Sequence, residues 1–487
     1  MISIEQIEAL ISRMRATGSD SQSCEVKEAV HSLPETLSAF ANTKGGLILL
    51  GISERNGFHL AKDFDANRAY SQLLTLGDAL TPPVRLEIER IPFEGGTVVA
   101  ALVPELPESQ KPCHVTLRGL YEGSFIRTGD GDRHLSRYEV NRLLEGRDQP
   151  LFDLEPVERA GVEDLDQKLL SAIVARARVM FPRVFAKLSD EVILIQLGVL
   201  TRIGEKLHPT LAGLLAAGIF PQQFFPRLQV VFTAYPGTTK AGDPKTGSRY
   251  IDSKELAGPI PDMLLDTISL VQRYMNTGAV VENGLRRDIP DYPLAAVREA
   301  VANALQHRDY SPEGRGTQVQ VNLYSDRLEI TNPGGLYGAT TVESLGKTGI
   351  SSTRNEYLSR LLTYVPFEDS YIVENKGTGF MTIEAELAAA LMPPPVVRNS
   401  LTFFSLTFLK RRKTEQELSP RSWKRLDEAI LAELQDRSSL SVKAISEMSG
   451  FSRATVSNHI ARLVKEGWLE PTERARSPRQ RYRLVTR

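Results

Sequence analysis

Apolar residues recur at helical spacing from the start of the chain: Ile4, Ile7, Ile11 and Met14 share one face of a helix expected over residues 3–14. A second helix is expected over 33–41, with Pro34 tolerable in its first turn. The apolar runs 46–52 and 96–103 read as strands, so the first 145 residues have an α+β pattern. A mobile connection is expected around 146–156. Residues 160–275 then alternate helical stretches with a strand-like run at 228–234 and carry no chemically interpretable motif. Further on, 296–310 reads as an alanine-rich helix, 401–408 as a strand and the charged 410–420 as a linker. The last segment predicts helices over 424–436, 441–448 and 452–465, then Gly467-Trp468-Leu469 and a strand over 480–484.

At 487 residues the chain exceeds one ordinary core, and three or four units are expected. With 59 Lys and Arg against 60 Asp and Glu, a uniformly basic nucleic-acid coat is excluded, so any such contact is local. Cys24 and Cys113 are the only cysteines, and with the scattered histidines they give no zinc-ligand spacing. The start Met1-Ile2-Ser3-Ile4-Glu5 lacks a basic and apolar leader pattern, and no run approaches the roughly 20 apolar residues of a membrane span. The expectation is a soluble, cytoplasmic protein with no membrane partner.

The alanine-rich helix carries the main candidate chemistry. Glu299 and Asn303 are four residues apart on one face, and Ala296, Ala300 and Ala304 leave room for close packing. Two glycine turns follow, Asn332-Pro333-Gly334-Gly335 and Lys376-Gly377-Thr378-Gly379, whose backbone amides suit a phosphate. Each piece alone is an ordinary solvated face or turn. Together, in this order, they suggest a nucleotide pocket.

That combination, over about 290–410, resembles the Bergerat or GHKL ATP-binding fold. It is most similar to the divergent RecG-like ATP-binding domains, whose helix runs into His-Arg-Asp-Tyr as at 307–310 here, and Arg354-Asn355 matches the same group. The segment Pro209-Thr210-Leu211-Ala212-Gly213-Leu214 also resembles what precedes the ATP module in those proteins. The resemblance implies that Asn303 coordinates Mg²⁺ bound to ATP and that Glu299 polarises the attacking water. It implies further that Lys376, Gly377, Thr378 and Gly379 hold phosphate, with Asn332, Gly334 and Gly335 in the nucleotide-binding turn. Better-known members accept the adenine amino group with an Asp, where this chain has Asn332 and Pro333. An uncharged, weaker acceptor favours nucleotide binding over turnover.

Near the N-terminus, the extended Cys24-Glu25-Val26-Lys27 precedes a helix, the turn Asn42-Thr43-Lys44-Gly45-Gly46 and the strand Leu47-Ile48-Leu49-Leu50-Gly51-Ile52. With Phe125-Ile126-Arg127 and Gly129 later, residues 18–145 resemble the Schlafen AlbA-like domain. In nucleolytic Schlafens three acidic residues hold a metal for RNA cleavage, and the matching positions are Asp20, Glu25 and Glu54. The resemblance implies Mg²⁺ or Mn²⁺ at this trio, with Lys27 offsetting transition-state charge. Asp20 stands where the nuclease has Glu, and Ser53 where an acid is common, which reduces reach and charge density. Nuclease action, binding of nucleic acid or protein, and a structural role all remain open for this domain.

The C-terminal pattern resembles a winged helix. Ser452, Arg453, Thr455, Asn458, His459 and Arg462 can line its groove-facing helix, and Arg474, Arg476, Arg479 and Arg481 its wing. Residues 421–487 hold 14 Lys or Arg against 8 Asp or Glu, a net +6 in a neutral chain. Winged helices also mediate protein contacts.

The reading is an α+β multidomain protein: a Schlafen AlbA-like α+β domain at 1–148, a middle α+β region at 149–289, a Bergerat-type α/β sandwich at 290–410 and a winged helix at 421–487. The expected function is that of an ATP-binding, DNA-binding transcriptional regulator in which nucleotide modulates nucleic-acid engagement, acting as a homodimer. The alternative is a nucleotide-gated, metal-dependent endoribonuclease cutting tRNA or other RNA in stress or phage defence. A P-loop helicase is disfavoured, since no Gly-x4-Gly-Lys-Ser/Thr motif occurs.

Overall fold

The computed structural model describes residues 4–17, 22–129, 131–241, 247–282, 285–347, 352–373, 377–410, 430–431, 434, 439–449, 453–465, 468–473 and 480–485. It divides into two compact units, Met1–Pro150 and Leu151–Arg487.

In the first unit, α1 (Ile4–Thr17) is followed by β1 (Cys24–Lys27), α2 (Leu33–Ala41), β2 (Gly46–Leu50), α3 (Ala66–Leu76), β3 (Glu87–Phe93) and β4 (Gly96–Val103). The sheet order is β1-β2-β4-β3, with β1 and β2 parallel and the other pairs antiparallel. Both faces are covered, which explains the unbroken apolar runs. Ile48, Leu50, Val99 and Ala101 point into a core with Leu37, Phe40 and Leu73, whereas Leu49, Val98 and Ala100 meet Ile7, Ile11 and Met14 of α1. Gly45 turns the chain into β2 at φ +68, where a Cβ would lie 2.6 Å from Val103 O. The strand expected over 46–52 breaks at Gly51, whose φ of +94 and closeness to the Phe64 ring admit only glycine. Two further strands, β5 (Phe125–Thr128) and β6 (Gly131–His134), form a hairpin.

The second unit is built on a six-stranded sheet. Its elements are α4 (Leu211–Ala217), β7 (Val230–Ala234), β8 (Asp252–Leu256), α5 (Ile260–Tyr274), α6 (Leu294–His307), β9 (Val319–Leu323), β10 (Arg327–Pro333), α7 (Glu356–Leu361), α8 (Gly379–Ala389), β11 (Val396–Asn399) and β12 (Phe403–Leu409). The order is β8-β7-β9-β10-β12-β11, with only β7 and β9 parallel. The middle region therefore does not stand apart at 290. It supplies two strands of this sheet, and one core runs from Val157 to Phe408. Helix α6 forms because alanine and leucine favour it, and it buries Ala296, Val297, Ala300, Val301, Ala304 and Leu305 against the neighbouring elements.

The connection expected to be mobile at 146–156 is anchored in its second half. Asp153 is fully buried and accepts the Leu358 amide at 2.9 Å at the start of α7, and Glu155 O accepts the Leu211 amide at 2.9 Å. Lone polar letters in a linker do not reveal partners two hundred residues away.

Near the C-terminus, α9 (Val442–Ser449), α10 (Arg453–Lys465), β13 (Leu469–Pro471) and β14 (Tyr482–Leu484) surround a core of Ile430, Leu434, Ile445, Val456, Ile460 and Leu463. No helix among the described residues is long and apolar enough to cross a membrane.

Candidate functional site

A cavity of about 470 Å³ opens between α6 and the sheet. Its floor follows from strand alternation: Ile330 and Asn332 on β10 lie opposite Leu406 and Phe404 on β12, and all four line the cavity. The intervening pair, Thr331 and Ser405, is hydrogen-bonded between its hydroxyls at 2.8 Å. Glu299, Ala300, Asn303, Ala304 and His307 form the helical wall, spaced by one turn or its neighbour.

Asn303 Nδ2 donates to Glu299 Oε1 at 3.3 Å. Gly377, Thr378 and Gly379 also line the cavity at the start of α8, where Thr378 makes no side-chain cap. Uncapped N-terminal amides of a helix are an anion site. Glu299, Asn303, Asn332, Gly335, Gly377, Thr378 and Gly379 are thus gathered around one cavity, while Lys376 lies outside the described residues. Gly334 does not line it. Its φ is +85, and a Cβ there would lie 2.3 Å from Arg354 Nη1, so it is glycine to admit that guanidinium.

The wall also includes Arg298, Tyr337, Thr340, Lys347 and Arg354. Arg354 is buried, donates to Gly335 O at 3.1 Å and sits over the Tyr337 ring. Thr340 Oγ1 is buried without a hydrogen-bond partner among the described residues. Burial, with the Arg354 charge adding to it, pushes His307 down to about 4, so its imidazole is neutral near pH 7. The rest of the His-Arg-Asp-Tyr run is architectural: Arg308 donates to Thr317 O at 2.6 Å, Tyr310 Oη donates to Leu305 O at 2.7 Å, and Asn355 Nδ2 donates to the Gln306 and Arg308 carbonyls. Lys347 and Thr340 escaped the sequence reading. The run Gly346-Lys347-Thr348-Gly349 has the same glycine and lysine character as 376–379 and was the available signal for Lys347, whereas nothing local marks Thr340.

A hard divalent cation takes oxygen ligands. Asn303 turns its amide nitrogen, not its oxygen, to Glu299, which leaves the carboxamide oxygen for Mg²⁺ and a carboxylate beside it for a bound water.

The acidic trio is different. Asp20 lies outside the described residues. Glu25 is buried with one carboxylate oxygen 2.6 Å from Lys27 Nζ and the other 2.7 Å from Arg127 Nη2. Arg127 Nη1 continues to Asp132 at 3.0 Å, which also accepts from Thr36 Oγ1 at 2.6 Å. Glu54 is exposed in the turn after Ser53. Among the described residues no group of three His, Cys, Asp or Glu is placed to hold a metal. Glu25 as it stands balances two cations, which does not suit a Mn²⁺ or Mg²⁺ ligand.

On the C-terminal helix α10, Arg453 and Arg462 are exposed. His459 is only 2% exposed, with Arg462 Nη2 3.4 Å from its Nδ1, so it belongs to the packed side rather than the groove-facing side. Ser452, Arg474, Arg476 and Arg479 lie outside the described residues, as do the side chains of Thr455 and Asn458. Arg481 donates to Ser439 O at 3.1 Å.

Three family models match the chain. Residues 16–136 match the Schlafen AlbA_2 domain, 316–408 match the model described as “Putative ATP-dependent DNA helicase recG C-terminal” (HATPase_c_4), and 424–470 match a winged helix-turn-helix DNA-binding model. Fold and matches together define a multidomain α+β protein that joins a Schlafen-type module to an ATP-binding module and a DNA-binding module. The chain carries a Schlafen AlbA_2 domain, a RecG-type HATPase domain and a C-terminal winged helix-turn-helix, in that order. The HATPase match starts after α6, so Glu299 and Asn303 enter the site by geometry rather than by that match.

Among solved structures, the DIP2311 protein from Corynebacterium diphtheriae is 19% identical, covering 99% of this chain and 97% of that one at a TM-score of 0.42. The N-terminal domain of a RecG-related protein from Nitrosomonas europaea is 25% identical, covering 26% of this chain and 91% of that one at a TM-score of 0.22. A search of curated proteins found no match.

Proposed function

We propose that this protein is a transcriptional regulator whose DNA binding responds to a nucleotide held with Mg²⁺ in the α6 cavity. The observation that carries the reading is the convergence of Glu299, Asn303 and the uncapped start of α8 on one cavity, in a chain that also bears a winged helix-turn-helix. Asn303 would hold the cation, which neutralises phosphate charge when bound, and Glu299 beside it would orient a water. The amides at Gly377, Thr378 and Gly379 accommodate phosphate oxygens. The winged helix meets DNA through α10, with Arg453 and Arg462 available to phosphates or base edges.

Regulation requires that nucleotide favour one DNA-binding state over another. Two copies of the chain on paired half-sites would suit this role. The ribonuclease reading has less support, since Glu25 is committed to Lys27 and Arg127. The test is calorimetry of ATP with Mg²⁺, together with DNA retention assays on fragments upstream of the protein's own gene, for the wild type and Asn303→Ala. Loss of nucleotide binding in the variant, with nucleotide-dependent retention in the wild type, supports the reading. Equal affinity in both proteins, or retention indifferent to nucleotide, overturns it.

A further inference from the structure

The cavity floor holds three apolar side chains, Ile330, Leu406 and Phe404, and one amide, Asn332. A flat apolar floor with a single polar group suits a planar heterocycle, and the polar group then reads its edge. Asn332 is 4% exposed, and its Nδ2 reaches Pro333 O only at 3.4 Å, too long to pin the carboxamide in one orientation.

We propose that this site accepts purine nucleotides without distinguishing a 6-amino from a 6-oxo ring, and that Asn332 is the residue that sets this breadth. The inference rests on the nucleotide reading of the cavity. A carboxamide offers a donor and an acceptor side by side, and a half-turn about its last torsion exchanges them. Toward adenine, Oδ1 accepts from the 6-amino group while Nδ2 donates to ring N1. Toward hypoxanthine or guanine, Nδ2 donates to the 6-oxo group while Oδ1 accepts from the N1 hydrogen. Both rings are satisfied by the same two atoms. A carboxylate here would only accept. With either ring one of its oxygens would face another acceptor, ring N1 of adenine or the 6-oxo group of hypoxanthine. An apolar side chain of similar shape would forfeit both bonds, a loss worth roughly tenfold or more in affinity at a buried position. Pyrimidines leave part of the apolar floor uncovered.

The full-length protein with Mg²⁺ is titrated with ATP, ITP, GTP and UTP by calorimetry, as wild type, Asn332→Leu and Asn303→Ala. ITP or GTP within about threefold of ATP in the wild type supports the proposal, as does a parallel loss of about tenfold or more for ATP and ITP in Asn332→Leu. The wild-type comparison stands alone if the variant does not fold. ITP and GTP both more than tenfold weaker than ATP in the wild type overturns it, and so does unchanged ATP and ITP binding in folded Asn332→Leu. Absence of binding by all four, or binding untouched by Asn303→Ala, refutes the nucleotide reading itself and is thereby distinguishable from a failure of base selection.

Discussion

A Cβ placed on Gly379 would lie 2.2 Å from Glu299 Oε1 and 3.1 Å from Asn303 Nδ2. The first residue of α8 and the two polar groups of α6 therefore meet with no space for a methyl group between them. Gly379→Ala is expected to displace Glu299 and to weaken Mg²⁺-nucleotide binding at least tenfold. The circular dichroism spectrum should stay that of the wild type, because Gly379 opens a helix that alanine favours.

Asp153→Ala removes the acceptor at the start of α7. The cost expected for a lost helix-terminal acceptor is about 1–2 kcal/mol. It should appear as a lower urea midpoint for the second unit. The helix is preceded by Arg354 and Asn355, so a lower nucleotide affinity is expected to accompany it.

Glu25→Gln withdraws the charge that balances Lys27 and Arg127. Because Asp132 still faces Arg127, the loss should be about 1–3 kcal/mol, less than for an isolated buried pair. Thermal unfolding of the first unit measures it. Total tRNA incubated with the wild type and Mn²⁺ is expected to run intact on a denaturing gel. Cleavage that disappears in Glu25→Gln would reinstate the ribonuclease reading.

His307 gives the fold an acid sensitivity whose sign is fixed. Its native value lies near 4 against an ordinary 6.5, so between these pH values the unfolded chain binds the extra proton. The associated stability is complete above about pH 6.5 and is lost as pH falls through about 4. Melting temperatures at pH 7 and pH 5 should therefore differ less in His307→Gln than in the wild type.

Arg453→Ala and Arg462→Ala test the DNA face. If each contacts a phosphate, affinity falls for all sequences and the slope of log affinity against log salt decreases by about one per residue. Binding unchanged in the double variant would place the DNA contact elsewhere.

Local pattern made much of this molecule legible. The apolar runs of β2 and β4, the glycine entry at Gly45 and the alanine-rich face of α6 each encode their own conformation, and Glu299 with Asn303 follows from helical spacing alone. What escaped depends on distant partners. Gly51 ends its strand because the Phe64 ring fills the space beside it, His459 turns inward with the helix's packed face, and Thr340 joins the cavity wall from a loop without periodicity. Glu25 shows the complementary failure: its motif was readable, but its ion pair with Arg127 spans a hundred residues.

The sheet order of the second unit also limits how this protein can be dissected or recombined. β7 lies between β8 and β9, so a cut at residue 290 would strip two strands from one side of the sheet and leave β9 as a raw edge. The nucleotide module is thus not an exchangeable cassette beginning at α6. A gene fusion or truncation that preserves it has to carry the preceding strands as well.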